Sequence, residues 1–333
     1  MEWNNFWEVL RNARKVMISA HRKIDGDGLG SAWALCHALR WLGKEVEIRN
    51  PDAVPEIFRF IGSDFADTKV CDEAFLRQEA ATFDTLVIVD TSARSQLGRV
   101  VELVERGTCR TVVIDHHAVG DSLTPLVFQD ANAPAAGCLV MDALETAGIP
   151  LDYRGGKDSP SIAEYLFLAI STDTGWFRFP SVRQQTLEQA ARLMAAGVQP
   201  SRWYARIYES YPPSRLKLLG VVAQNAQLCG AGRLAYSWIS REDFERLGAS
   251  YSETTDLVNT LLMTQGVEVA VLFCEQEEGT RMNFRSRSDF NVAEEARKWG
   301  GGGHVKAAGA FSQESLKNIR PMVLDEIMVS MVR

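Results

Sequence analysis

The chain has 333 residues, enough for two domains that each bury a core. Hydrophobic residues make up 46% and charged residues 24%, the balance of a soluble globular protein rather than a fibrous or disordered one. A formal net charge of −7 argues against a protein that coats long nucleic acid, which needs a broad basic surface, but leaves room for a short anion in one local pocket.

The opening stretch MEWNNFWEVLRNARK has an acid at its start and no apolar core, so no secretory signal is expected. No run approaches the roughly 18 apolar residues of a membrane span. The cysteines (Cys36, Cys71, Cys109, Cys138, Cys229 and Cys274) are scattered with no CxxC pair, which suits free thiols in a reducing cytoplasm.

In chain order, Trp3, Phe6, Trp7 and Leu10 recur at helical spacing and predict an amphipathic helix over 3–14. KVMISA reads as a buried strand running into His21, GLGSAWALCHALRWLG as a helix closed by Gly43, and KEVEIR as the next strand. DTLVIVD is a strand ending at Asp90, SQLGRVVELVERG a helix, and RTVVID a strand ending at Asp115. APAAGCLVMDALETAG and SIAEYLFLAIS read as further helices. This alternation predicts an α/β domain around a mostly parallel sheet, where ligands collect at the carboxyl ends of strands.

After Gly197 the texture changes. QPSRWYARIYESYPPSRLKLLG, charged, helical and proline-bearing, reads as a connection. GRLAYSWIS, VEVAVLFCEQ and TRMNFRSRS then read as strands of a smaller sheet, and SLKNIRPMVLDEIMVSMVR as a helix that Pro321 is expected to kink or break. The expected organisation is a metal-binding domain over 1–197, a connection over 198–215 and a smaller α/β substrate-binding domain over 216–333, with the active site in the cleft between them. Trp203 and Tyr204 mark either packing within the chain or a contact between copies, which leaves a homodimer open.

Chemistry concentrates in a few places. HRKIDGDGLGS carries His21, Asp25 and Asp27 out of a strand and into a helix; the plain alternative is an aspartate-rich cap. Asp90 ends a buried strand, where a carboxylate needs a partner. In IDHH, the adjacent His116 and His117 point in different directions, so one can bind metal while the other faces substrate, and Asp115 can orient a histidine. Asp173 ends an apolar helix in STDTGWFRF. His37 lies inside a helix pattern and reads as structural. Together His21, Asp25, Asp27, Asp90, His116 and Asp173 suffice for two divalent cations with one bridging carboxylate. Nitrogen and carboxylate donors suit manganese, with magnesium or cobalt as alternatives. Such ion pairs, roughly 3.5–4 Å apart, serve phosphoryl displacement. In the second half, GGGGHVKAAGA reads as an anion-binding nest, with His304 and Lys306 beside it and Arg285 and Arg287 on one side of a strand.

These motifs, HRKIDGDGLGS, VIVDTS, VIDHH, ISTDTGWFRF and FRSRS…GGGGHVKAAGA, resemble in kind and order the DHH phosphoesterase family with its C-terminal DHH-associated domain. The compact length resembles the nanoRNase branch. The resemblance implies hydrolysis of two- to five-nucleotide RNA or DNA to mononucleotides, together with pAp 3′-phosphatase activity, and no partnership with long nucleic acid or membrane. It implies that His21 and Asp25 bind one ion, that Asp27, His116 and Asp173 bind the other, and that Asp90 bridges. His117 would assist the leaving oxygen with Asp115 behind it. Arg285, Ser286, Arg287, Gly302, Gly303 and His304 would hold the far phosphate or nucleotide. The alternatives are a dedicated pAp phosphatase, a phosphodiesterase for pApA or cyclic dinucleotides, a pyrophosphatase and a non-catalytic nucleotide sensor. Ala135, Ala136 and Gly137 stand where relatives often carry hydroxyl residues.

Overall fold

The computed structural model describes residues 2–332, with the side chains of His304 and Val332 outside that description. The chain forms two compact units that meet between Glu209 and Ser210. The expected connection, 198–215, holds that boundary and is largely helical, covering Pro200–Tyr208 and the start of Pro213–Gln224.

The first unit runs α1 (Trp3–Asn12), β1 (Lys15–Ser19), α2 (Gly26–Trp41), β2 (Glu45–Asn50), α3 (Ser63–Asp67), β3 (Lys69–Val70), α4 (Glu73–Gln78), β4 (Thr85–Val89), α5 (Val101–Arg106), β5 (Arg110–Asp115), β6 (Val127–Gln129), α6 (Ala136–Thr146), α7 (Ile162–Asp173), α8 (Gln184–Ala195) and α9 (Pro200–Tyr208). Its six strands pair in the order β3-β2-β1-β4-β5-β6, every pair parallel. Side chains alternate between two apolar layers, as a sheet covered on both faces requires. Val16, Ile18, Val87, Val89, Val112 and Ile114 pack on the side of α1, α2, α6 and α7. Met17, Leu86, Ile88 and Val113 face α4 and α5.

Strand order reverses between β1 and β4, so the carboxyl ends of these neighbours flank the switch point where ligands bind doubly wound sheets. His21 follows β1 and Asp90 follows β4. Over this point α2 and α7 cross antiparallel at very short range. A Cβ on Gly30 would fall 2.4 Å from the Tyr165 carbonyl oxygen, and one on Gly26 would fall 2.4 Å from Thr172 Oγ1. The glycines of DGDGLGS therefore serve close helix packing, which brings the start of α2 to the end of α7.

Two local expectations change, and packing within the chain accounts for Trp203. SQLGRVVELVERG is helical only from Val101; 3₁₀ turns at Arg94–Gln96 and Gly98–Val100 precede it, with Gly98 at φ +49. Pro321 does not end its helix, which continues through it. Trp203 is a core residue, 1% exposed and edge-on to Phe60, while Tyr204 stays exposed against Trp176.

The second unit contains α10 (Pro213–Gln224), β7 (Gln227–Cys229), β8 (Leu234–Ile239), α11 (Arg241–Leu247), β9 (Val269–Gln276), β10 (Gly279–Ser286), α12 (Val292–Lys298), β11 (Gly302–His304), β12 (Ala307–Ser312) and α13 (Leu316–Val332). The sheet order is β11-β12-β10-β9-β8-β7, with only β8–β9 parallel. One face buries Met282, Phe284, Ala308 and Ala310 against α12 and α13; the other buries Ala270, Leu272 and Cys274 against α10 and the 3₁₀ turns. Among the described residues no helix is long and apolar enough to cross a membrane, and all six cysteines are free thiols.

Candidate metal centre

The six residues expected as metal ligands come from four separate segments and meet at the switch point. Asp25 is the N-cap of α2, accepting the N–H groups of Asp27 and Gly28 at 3.0 and 3.2 Å. Its carboxylate also stands 3.6 Å from His21 Nε2, so the capping and ligand readings of HRKIDGDGLGS hold together. His21 Nε2 lies 3.3 Å from Asp90 Oδ2, and its Nδ1 is 2.8 Å from the Arg22 carbonyl. With Nδ1–H donating to that carbonyl, Nε2 is the basic nitrogen facing the carboxylates.

On the other side, His116 Nε2 lies 3.4 Å from Asp90 Oδ1, 3.4 Å from Asp173 Oδ2 and 3.7 Å from Asp27 Oδ2. Its Nδ1 faces the Ala133 carbonyl at 3.2 Å. Asp27 accepts Ser31 Oγ–H at 3.0 Å and the first amides of α6, Ala136 N–H at 2.6 Å and Gly137 N–H at 2.9 Å. The departure at Ala135-Ala136-Gly137 thus leaves Asp27 held by backbone, and by the positive end of a helix. Asp90 sits between the two groups, buried, at φ +62, with its N–H on the Ile114 carbonyl.

Donor atoms within 4.8 Å of one another form the trios His21–Asp25–Asp90 and Asp27–His116–Asp173, and also Asp90–His116–His117. His117 is better occupied elsewhere: its Nδ1 lies 2.8 Å from Asp115 Oδ1 and only 3.9 Å from Asp90. Asp115 is fully buried and also accepts Ser92 Oγ–H at 2.6 Å.

The electrostatics are those of a cation trap. Burial opposes charge on His21, but the Asp25 and Asp90 carboxylates outweigh it and lift the imidazole to about 11. Burial is likewise outweighed at His116, raised to about 10 by Asp90, Asp27 and Asp173. Burial pushes Asp173 up to about 6 and, with Asp90 and Asp173 nearby, holds Asp27 well above the carboxylate range. Asp90 goes the other way: burial works against its charge, but His116 and His21 pull its carboxyl well below the usual value. Asp90 Oδ1 is nonetheless buried without a hydrogen-bond partner, as a carboxylate reserved for a cation would be. Two imidazoles with fixed Nδ1 contacts and four carboxylates fit divalent metal ions.

The expected substrate residues lie together at one end of the second sheet. Arg285, half-buried on the face with Arg281 and Asn283, approaches Asp256 at 3.3 Å. Ser286 is buried and donates to the Ser288 carbonyl at 2.9 Å, which makes it a turn residue; Arg287 donates to the Leu262 carbonyl. Gly302 and Gly303 belong to β11 and pair with Gly309 and Ala308. The His304 side chain lies outside the described residues.

Sequence reasoning missed Ser31 and Ser92, and the amides and carbonyls that orient the ligands. Ser31 had a signal, since i,i+4 spacing puts it on the helix face of Asp27. The backbone groups had none, because every residue carries them.

The fold and the donor set have the make-up of a metal-assisted phosphoesterase, with donors enough for two divalent ions. The N-terminal domain of the DHH family matches residues 15–170 and the DHHA1 domain matches residues 232–328. A relative from Thermus thermophilus, the bifunctional oligoribonuclease and PAP phosphatase NrnA, is 30% identical over 314 residues, covering 92% of this chain and 89% of its own. The chain therefore belongs to the DHH phosphoesterase family. An exopolyphosphatase-related protein from Bacteroides fragilis shares the fold at TM-score 0.90 and 22% identity, covering 99% of this chain and 97% of that one. The fold of RecJ from Thermus thermophilus, solved in complex with Mn2+, is similar at TM-score 0.54 and 15% identity, covering 99% of this chain and 54% of that one.

Proposed function

We propose that this protein hydrolyses oligonucleotides of two to five nucleotides to mononucleotides, removes the 3′-phosphate of pAp, and works in the cytoplasm with two manganese ions. The observation that carries this reading is the pair of donor trios, His21–Asp25–Asp90 and Asp27–His116–Asp173, joined by buried Asp90, which faces His21 through one oxygen and His116 through the other. The relative's activities, oligoribonuclease and PAP phosphatase, support the substrate class.

In this reading His21 and Asp25 would hold one cation, and Asp27, His116 and Asp173 the other, with Asp90 placed to contribute to both. When bound, such a pair supplies Lewis acidity, an acidified water and charge neutralisation for in-line displacement at phosphorus. The protein's part is orientation and proton handling. The Arg22 and Ala133 carbonyls set the tautomers of His21 and His116, and the amides of Ala136 and Gly137 keep Asp27 in place. The hydrogen bond to Asp115, opposed by burial, raises His117 above its ordinary value, which favours the imidazolium that would give a proton to the leaving sugar oxygen. Arg285 and Arg287 hold a distal phosphate, together with the amides around Gly302 and Gly303.

The test is a manganese-dependent time course on 5′-labelled RNA of two, five and twenty-four nucleotides, with pAp in parallel. Rapid loss of the short oligomers and of pAp supports the reading. Comparable rates on the longest RNA would sink the length preference, and turnover of pAp alone would narrow the function to that phosphatase.

A further inference from the structure

Ser92 lies in the VDTS stretch two residues beyond Asp90, and the surroundings of its hydroxyl are built for one contact. It is 3% exposed, and its hydroxyl donates to Asp115 Oδ2 at 2.6 Å. The other oxygen of the same carboxylate accepts the His117 amide at 3.1 Å and faces His117 Nδ1 at 2.8 Å. One Asp115 oxygen thus holds the Ser92 hydroxyl while the other holds His117, so the Ser92 contact fixes the rotation of the carboxylate against which the His117 ring is set. Ser92 ties them to the neighbouring strand, two residues beyond Asp90.

The loop after His117 closes over this hydroxyl. The Ser92 carbonyl accepts the Asp121 amide at 2.9 Å, and Asp121 Oδ2 accepts the Arg94 amide at 2.7 Å. Between them lies Gly120. A Cβ there would stand 1.8 Å from Ser92 Oγ and 2.7 Å from Ser92 Cβ, although the backbone at Gly120 is not left-handed. Glycine is therefore required at 120 by the space the serine occupies, not by its own backbone conformation.

We propose that Ser92 is a positioning residue for His117, acting through Asp115, and that Gly120 is bare so that the Ser92 hydroxyl can keep that contact. The inference rests on the phosphoesterase reading above. In the reaction, water adds its hydroxyl to phosphorus and releases its other proton to solvent, the phosphorus–leaving oxygen bond breaks, the leaving oxygen gains a proton from His117, and His117 takes one back from solvent. A misplaced His117 impairs only leaving groups that need that proton.

Two substrates separate this role from general damage. The dinucleotide pApA expels a sugar alkoxide, which must be protonated. The p-nitrophenyl ester of thymidine 5′-phosphate expels a phenolate, stable without a proton. Ser92→Ala is expected to lower kcat on pApA roughly 10- to 100-fold with KM within about twofold, and to leave kcat on the nitrophenyl ester within about twofold. Gly120→Ala should reproduce this split, and the double variant should be no worse than either single one, because both remove the same contact. Retained hydrolysis of the nitrophenyl ester shows that a variant is folded. Equal losses on both substrates, no loss on either, or additive losses in the double variant would each overturn the proposal. If the wild-type protein with manganese cleaves neither substrate, the phosphoesterase reading falls first and takes this inference with it.

Discussion

The Asp27 carboxylate, at the start of α2, receives the Ala136 amide at the start of α6 at 2.6 Å, across 109 residues of chain. This contact explains why no hydroxyl is needed at 135–137: the helix end itself supplies the donors. It also makes the α6–α7 spacing part of the site. A Cβ on Gly137 would stand 2.5 Å from Ala169 Cβ and 3.4 Å from Asp27 Oδ1. Gly137→Ala is expected to destabilise the protein by about 1–3 kcal/mol and lower kcat/KM at least tenfold. Urea midpoints and steady-state kinetics measure both; unchanged kinetics would detach the α6 amides from function.

Asp90→Asn keeps the shape of the side chain but removes the charge shared by His21 and His116. Turnover should vanish. The melting temperature of the wild-type protein should rise on adding manganese, because an ion bound only by the folded state stabilises it, and that rise should disappear in the variant. An undiminished manganese-induced shift in Asp90→Asn would remove Asp90 from the ligand set.

The glycine run at 300–303 divides into two kinds of position. Cβ atoms on Gly301 and Gly303 would meet the carbonyl oxygens of Gly309 and Ala307 at 2.2 and 2.5 Å, so these glycines serve the tight β11–β12 pairing. Gly302 would meet nothing within 4 Å. Gly301→Ala and Gly303→Ala should each cost roughly 1–3 kcal/mol of stability. Gly302→Ala should be neutral or stabilising by about 0.5–1 kcal/mol, yet raise KM for pApA if substrate lies against that backbone. An unchanged KM in Gly302→Ala would withdraw Gly302 from the substrate contacts.

Away from the site, buried Asp64 accepts Tyr165 Oη–H at 2.6 Å and Ser159 Oγ–H at 2.9 Å, and lies 3.1 Å from His37 Nε2. Burial alone would raise its pKa; His37, Tyr165 and Ser159 outweigh that and hold it below the ordinary 3.8. A lowered carboxyl pKa means stabilisation that is complete above the unfolded value and is lost as pH falls through the folded one. Asp64→Asn should therefore cost roughly 2–4 kcal/mol from about pH 8 to 5, with the deficit shrinking below about pH 4. A deficit in the urea midpoint that grows with acid would contradict this sign.

The central sheet was legible because its strands are short apolar runs ending in His21, Asp90 and Asp115, and because buried parallel strands need no alternation. Edge strands of two or three residues such as β3, β6 and β11 were not legible, since so few residues carry no periodicity. The glycine run read as an anion nest; two of its glycines, Gly301 and Gly303, answer to strand pairing, a contact with residues eight and four positions away.

The sequence alone determined the donor inventory, its order along the chain and the α/β class, because side-chain chemistry and hydrophobic period are local properties. Which donors meet was decided only by the tertiary structure. The reversal of strand order between β1 and β4, the close α2–α7 crossing at Gly26 and Gly30, and the amides at the start of α6 bring Asp25, Asp27, Asp90, His116 and Asp173 within reach of one another. These are non-local packing relationships, set by backbone approach rather than by any residue's own chemistry.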